Sequence, residues 1–363
     1  MDNGKSTATA VAVAGAYGHT GRFVVEELLD RGYKPIAIGR SEDRLRALAA
    51  DVAAQRQLRL DVRTASVGAA DPAMLDQALE GATAVINCAG PFAETAAPAI
   101  EAALRSGIPY VDVAAEIEAN LDTFAQFEDR ARAAGAVIVP AMAFFGGLGD
   151  LLATAAISPE GGAEPPLRAG VVDIAYGLSS WHPTAGTRAA GNVSRRRRDG
   201  RAVRYRGGRL EYFNDDALPV DPTTWDFPEP TGTRKVFAGF TMADVVTIPR
   251  HIFVRDIQTY MAAVAARDVT SPDTQPPVAV DDRGRSAQRF VLDVTVRCDG
   301  GEVRRATAAG QDIYAVTAPM AVEAVERILT GRITTTGVAS AGEIFDATDF
   351  LRSLAPHITF ELR

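Results

Sequence analysis

The stretch that most restricts this chain runs from Val11 to Arg40, VAVAGAYGHTGRFVVEELLDRGYKPIAIGR. An apolar run, Ala8–Ala14, leads directly into Gly15-Ala16-Tyr17-Gly18-His19-Thr20-Gly21. Arg22–Arg31 follows, with Phe23, Val24, Leu28 and Leu29 at helical spacing before a Gly32 stop. Strand, glycine turn and helix in that order predict the first unit of a nucleotide-binding sheet. Gly15 permits the tight turn, Gly18 lets backbone approach a pyrophosphate, and Gly21 lets the helix pack near the strand. The helix N-terminus then offers free N–H groups to phosphates, with Tyr17, His19 and Thr20 beside them.

The second strand names the nucleotide. It ends at Gly39-Arg40-Ser41, about twenty residues past the loop, where an NAD site would place an acid on the ribose 2′-hydroxyl. An acid repels a 2′-phosphate, whereas guanidinium groups pair with it, so Arg40 and Ser41 with Arg44 favour NADP(H). The plainer alternative is that Arg40 is a solvated strand-end residue.

Further alternation follows. Asp71-Pro72 opens a helix with an acidic cap and is placed on the cofactor side; Ala84–Gly90 is a buried strand whose end, with Pro91-Phe92, forms a loop. A helix (Ala96–Ser106), a strand (Tyr110–Val113), a helix (Ile117–Ala134) and a strand (Ala136–Val139) complete an α/β, doubly wound parallel Rossmann sheet. Ala89, Gly90, Pro91 and Phe92 are expected beside the ribose and nicotinamide. Cys88 reads as a small strand residue rather than a nucleophile, because no basic group accompanies it.

Composition excludes several classes. A chain of 363 residues predicts more than one domain, and a formal net charge of -8 argues against a nucleic-acid binder. Two cysteines, Cys88 and Cys298, with no His/Cys cluster, predict neither disulfide framework nor metal site. No apolar run is long enough for a signal or a membrane span, so a cytoplasmic protein is expected.

The segments GAYGHTG, IGRSEDRL (Ile38–Leu45), NCAGPF (Asn87–Phe92), GIPYVDVAAE (Gly107–Glu116) and PAMAFFGGLGDLLA (Pro140–Ala153) resemble the saccharopine dehydrogenase-like NADP-binding family, which includes saccharopine reductases and trans-acting enoyl reductases. The likeness covers the first 155 residues and extends more loosely beyond. It implies an NADP-dependent reductase, in secondary metabolism or amino-acid-related chemistry, with a sheet-rich second domain that covers the nicotinamide and dimerises. Domains are expected at 1–145, 146–314 and 315–363, the last helical and returning to the first. Two departures stand where substrate should approach: Ala115-Glu116 replaces a Gly-Glu pair, and Ala143-Phe144-Phe145 replaces a Gly-Phe-Asp run.

From Gly170 the texture becomes strand-like (Val171–Leu178, Arg201–Tyr205, Gln288–Cys298), and Ala318–Thr330 reads as a helix. Candidates to move a proton beside a hydride are His182 in SSWHPTAGTR, His251 beside Arg250, Tyr176, and Glu116, with Asp112 near it. Each has a structural alternative: packing for the histidines, helix capping for Glu116. The run Arg195–Arg198 reads as a solvated hairpin turning at Asp199-Gly200, or as a docking site for an acidic carrier protein or a phosphopantetheine or CoA arm. The resulting expectation is an NADPH-dependent homodimeric reductase of a C=N, C=C or C=O group on a small or carrier-bound substrate. The rival is a non-catalytic NADPH sensor.

Overall fold

The computed structural model describes residues 9–68, 72–158, 169–214 and 221–363. Strands β1 (Ala10–Ala14), β2 (Lys34–Gly39), β3 (Asp61–Thr64), β4 (Ala84–Asn87), β5 (Tyr110–Asp112) and β6 (Val137–Val139) alternate with helices α1 (His19–Asp30), α2 (Glu42–Arg56), α3 (Pro72–Ala78), α4 (Phe92–Ser106) and α5 (Ile117–Ala134). Val11–Ala14, Ala84–Ile86 and Tyr110–Val111 are all buried, as expected of central parallel strands covered on both faces. Their order is β6-β5-β4-β1-β2-β3, every pair parallel. The strand order reverses between β1 and β4, which opens the crevice into which the glycine turn projects.

The rest of the chain comprises α6 (Gly149–Ile157), β7 (Ala169–Leu178), α7 (Ala185–Arg197), β8 (Ala202–Arg206), β9 (Arg209–Phe213), β10 (Thr223–Asp226), β11 (Thr233–Ala238), α8 (Asp244–Thr247), β12 (Val254–Ala262), α9 (Ala263–Thr270), β13 (Arg289–Cys298), β14 (Val303–Gln311), α10 (Thr317–Leu329), β15 (Gly337–Val338), α11 (Ala341–Ile344), α12 (Ala347–Ser353) and β16 (Ile358–Leu362). Among the described residues a second, mixed sheet runs β10-β11-β12-β7-β13-β14-β16, with β8 paired to β12 and β9 to β8. Its central strands β7 and β13 are buried along most of their length on both faces, Ile174, Tyr176, Leu292 and Val294 on one and Ala175, Val291 and Asp293 on the other.

The C-terminal segment ties the two sheets together. β15 pairs with β6 as the seventh parallel strand of the first sheet, and β16 pairs with β14 in the second. Helix α10 lies against α1, where Arg31 bridges Glu323 and Glu326. Arg327, 1% exposed, is tolerated there because Glu323 and Asp349 both pair with it and Phe350 packs under its guanidinium.

The basic run corrects the hairpin expectation: Arg195–Arg197 form the last turn of α7, and Arg198 ends the helix. Thr184 caps the N-terminus by accepting from the Thr187 amide, and arginines at the other end complement the helix dipole. The hairpin lies further on, between β8 and β9, turning on Gly207 and Gly208, both at positive φ.

Candidate functional site: a cleft between the two sheets

A cleft of about 1160 Å³ lies between the glycine turn and the second sheet. Its first wall is built from backbone. Gly15 sits at φ +76°, and a Cβ there would come within 2.9 Å of the Ala89 backbone. A Cβ on Gly21 would lie 2.3 Å from the Gly15 carbonyl oxygen. Both glycines are therefore demanded by the crossing of the turn with the strand and helix. The N-terminus of α1 has no side-chain cap and no acid in its first turn, so its amides remain available to phosphate oxygens.

His19 extends that fit. Its ring contacts Phe23 and Tyr314 edge-on, burial lowers its pKa, and Nε2 is buried with no partner among the described residues. A neutral imidazole with an unsatisfied nitrogen beside the turn suits a pyrophosphate oxygen. Tyr17 packs close against Gly39, where a Cβ would meet its ring at 2.3 Å, and the Arg44 guanidinium stands 5.7 Å from the ring centre. Arg40 and Arg44 both line this corner, where no acid lines the cleft among the described residues. These residues fit an NADP(H) dinucleotide.

Of the cofactor residues expected from sequence, Gly15, Tyr17, Gly18, His19, Thr20, Arg40, Arg44, Ala89, Gly90 and Phe92 line the cleft. Gly21 acts beneath it through packing. Ser41 caps α2 by accepting from the Arg44 amide, Pro91 is the residue preceding α4, and neither lines the cleft. Asp71 lies outside the described residues. Cys88 lines the cleft, but burial pushes its thiol far up, consistent with an inert side chain.

The opposite wall is made of side chains. Phe145 and Trp181 lie with ring centres 4.8 Å apart, Phe240 stands 5.9 Å from Trp181, and Phe144 and Met242 complete an apolar surface. Phe145 reaches the cleft because the chain kinks there: Phe145 is extended and Gly146 sits at φ +105°. The Tyr314 hydroxyl accepts from Trp181 Nε1 at 3.2 Å and also contacts Thr187 and the His182 carbonyl, which fixes the Trp181–Thr187 loop.

The four proton-transfer candidates are not brought together. Glu116 alone lines the cleft. It precedes α5, yet its carboxylate crosses to α4 and accepts from the Phe92 amide at 2.7 Å and the Ala93 amide at 3.2 Å. Burial pushes its pKa up to about 7, opposed by those two bonds and helped by nearby Asp112 and Glu118. His182 is turned away, its Nδ1 3.0 Å from the Gln275 carbonyl. His251 is packed between Thr154 (Nε2, 2.8 Å) and Ser340 (Nδ1, 3.2 Å), with buried Asp150 3.4 Å from Nε2. Tyr176 is fully buried and donates to Asp244. Asp112 accepts from the Ala114 and Ala141 amides and the Tyr110 hydroxyl, holding the ends of β5 and β6 together.

The sequence places Ala143-Phe144-Phe145 where substrate should approach, and Phe145 does line the cleft, but Phe240, Met242 and Tyr314 were missed as cleft residues and Trp181 was noted only as a neighbour of His182. Trp181 beside His182 was the available signal, but attention to titratable groups selected the wrong neighbour. The buried carboxylates Asp150 and Asp244 also went unnoticed, since nothing in a sequence distinguishes a buried acid from a solvated one.

Comparison with known proteins agrees with this geometry. Residues 11–139 match the family model of the saccharopine dehydrogenase NADP binding domain. A saccharopine dehydrogenase-like oxidoreductase of Homo sapiens is 31% identical over 117 residues, 29% of this chain and 27% of that protein. Its Bos taurus counterpart is 29% identical over 145 residues, 37% of this chain and 34% of that protein. The chain thus spans about a third of the length of these curated relatives. The apo saccharopine dehydrogenase (L-Glu forming) of Saccharomyces cerevisiae superposes with a TM-score of 0.64 at 13% identity, covering 98% of this chain and 100% of that one, a likeness of fold. Residues 11–139 are thus similar to the saccharopine dehydrogenase NADP binding domain, and the chain as a whole shares the fold of the yeast saccharopine dehydrogenase.

Proposed function

We propose that this chain is an NADPH-dependent reductase acting on a C=N, C=C or C=O bond of a small or carrier-bound metabolite. The observation that carries the reading is a single cleft in which the cofactor wall, the aromatic wall and the Glu116 carboxyl all meet. The bound dinucleotide supplies the hydride. Phe145, Trp181 and Met242 keep water from the reacting end of the substrate. Glu116, with a pKa of about 7, holds the proton that completes the reduction. The carboxylate left behind is stabilised by the two α4 amides it already accepts from, at the positive end of that helix, and solvent reprotonates it. The same reading takes the protein as a cytoplasmic homodimer, which light scattering and localisation of a tagged chain would check.

The test is a fluorescence titration with NADPH and NADH, followed by NADPH oxidation with cyclic imines, enoyl thioesters and ketones. Selective NADPH binding with turnover of one class is the expected result. Tight NADPH binding with no turnover of any class would make the protein a sensor, and binding of neither nucleotide would remove the reading.

A further inference from the structure

Helix α7 runs along the cleft with the wrong kind of face. A helix packed on a protein interior turns an apolar stripe inward. The α7 residues that line the cleft are instead small ones, such as Ala190 and Gly191, together with Thr187, Arg188, Asn192, Ser194 and Arg195, followed by Arg198 just past the helix end. From Arg188 to Arg198 this row extends roughly 15 Å at the helical rise. Beyond the rim it meets a second hollow of about 450 Å³, lined by Asn192, Arg195, Arg196, Asp199 and Gly200, so Asn192 and Arg195 face both spaces.

The row is held in place by its surroundings. Arg188 donates to the carbonyls of Ser271 and Thr274, and Arg198 is paired with Glu118 at 3.6 Å while donating to Ser194. On the outer side Asp122 answers Arg197. The cleft, about 1160 Å³ in volume, runs from the glycine turn past Phe145 and Trp181 to Arg198, so α7 borders a part of it beyond the cofactor corner.

We propose that the substrate is carried on a long phosphate-bearing arm laid along α7, its reducible acyl end against Phe145 and Trp181. This rests on the reductase reading. A compact acid needs one clamp near the reacting bond. A cationic row that begins in the cleft and continues into an outer hollow suits instead an extended arm with anionic groups, and guanidinium forks bind phosphate bidentately. The arm chemistry is shared by free coenzyme A thioesters and carrier-borne phosphopantetheine.

The experiment is calorimetric titration of the NADPH-loaded full chain with coenzyme A, 4′-phosphopantetheine and glutarate, repeated without NADPH. Wild type, Arg195→Ala and Asn192→Asp are compared, with thermal melts to confirm folding. Coenzyme A is expected to bind at least tenfold more weakly to both variants and more weakly as salt rises, with glutarate not binding. Phosphopantetheine binding as tightly as coenzyme A would assign the arm to a carrier protein, and coenzyme A binding alone to the free thioester. Absence of binding, affinity unchanged in both variants, or glutarate binding as tightly as coenzyme A would overturn the arm. NADPH fluorescence in the same samples separates this outcome from failure of the reductase reading.

Discussion

The two walls of the cleft are built by opposite means. The cofactor wall is backbone: a glycine turn, a helix N-terminus and the end of a neighbouring strand, with its signature contained between Gly15 and Arg44. The substrate wall is side chains gathered from distant parts of the chain, including Phe145, Trp181, Arg195, Phe240 and Tyr314. Close approach of backbone to a ligand permits very few residue types, so the first wall is stereotyped. A surface of side chains can be rebuilt one residue at a time, so the second is where specificity changes.

The largest test of this contrast is Glu116, where the two walls meet. Glu116→Gln keeps the shape and removes the proton, and turnover is expected to fall about 100-fold or more. Because burial raises the carboxyl to about 7, the protonated form is present below that pH and lost above it. The wild-type rate should therefore decline as pH rises through about 7, and the variant should lack that limb. Stability carries the same sign. Asp112 (about 6), Glu116 and Asp244 (both about 7) ionise less readily in the fold than in the unfolded chain. Their contribution is present in full below about 4 and is lost as pH rises towards 7. Denaturant titrations across that window should show a shallower loss for the variant.

On the cofactor wall, Gly21→Ala drives a methyl into the Gly15 carbonyl and should cost about 3 kcal/mol, read by urea unfolding. The same methyl on Gly191 of α7, which has open space around it, should cost nothing and serves as the control. Next in size, Arg40→Ala removes a charged partner of the 2′-phosphate and should weaken NADPH by about 2 kcal/mol, with NADH almost unchanged. Equal losses for both nucleotides would break the assignment of that corner.

The same contrast explains what was legible in the sequence. The parallel sheet, the glycine turn and the arginine edge could all be read because each depends on neighbours within a few residues. Helix α7 was misread as a hairpin because Asp199-Gly200 gives a local turn signal whose place, at a helix end rather than between strands, is set by packing over the cleft. Glu116 was legible as a capping residue, but not the helix it caps: its carboxylate serves α4, more than twenty positions back. His251 and Tyr176 were chosen as reactive groups, and both are enclosed among polar partners that only the tertiary fold supplies.

His182 gives the smallest expected effect and the sharpest division between the walls. It lies between Trp181 and Pro183, two residues that line the cleft, so by sequence position it belongs to the substrate wall. Its ring nevertheless points to the Gln275 carbonyl, where it pins the loop that Arg188 also holds through Ser271 and Thr274. His182→Ala should therefore remove one hydrogen bond, about 1 kcal/mol of stability, and leave the pH limb of Glu116 where it is. Trp181→Ala, one residue earlier, removes a ring from the reacting surface and should raise KM while shifting stability as well. If His182→Ala instead abolished turnover with NADPH binding intact, the loop would have to turn its imidazole into the cleft when substrate binds. Glu116 would then lose its place as the proton-holding group.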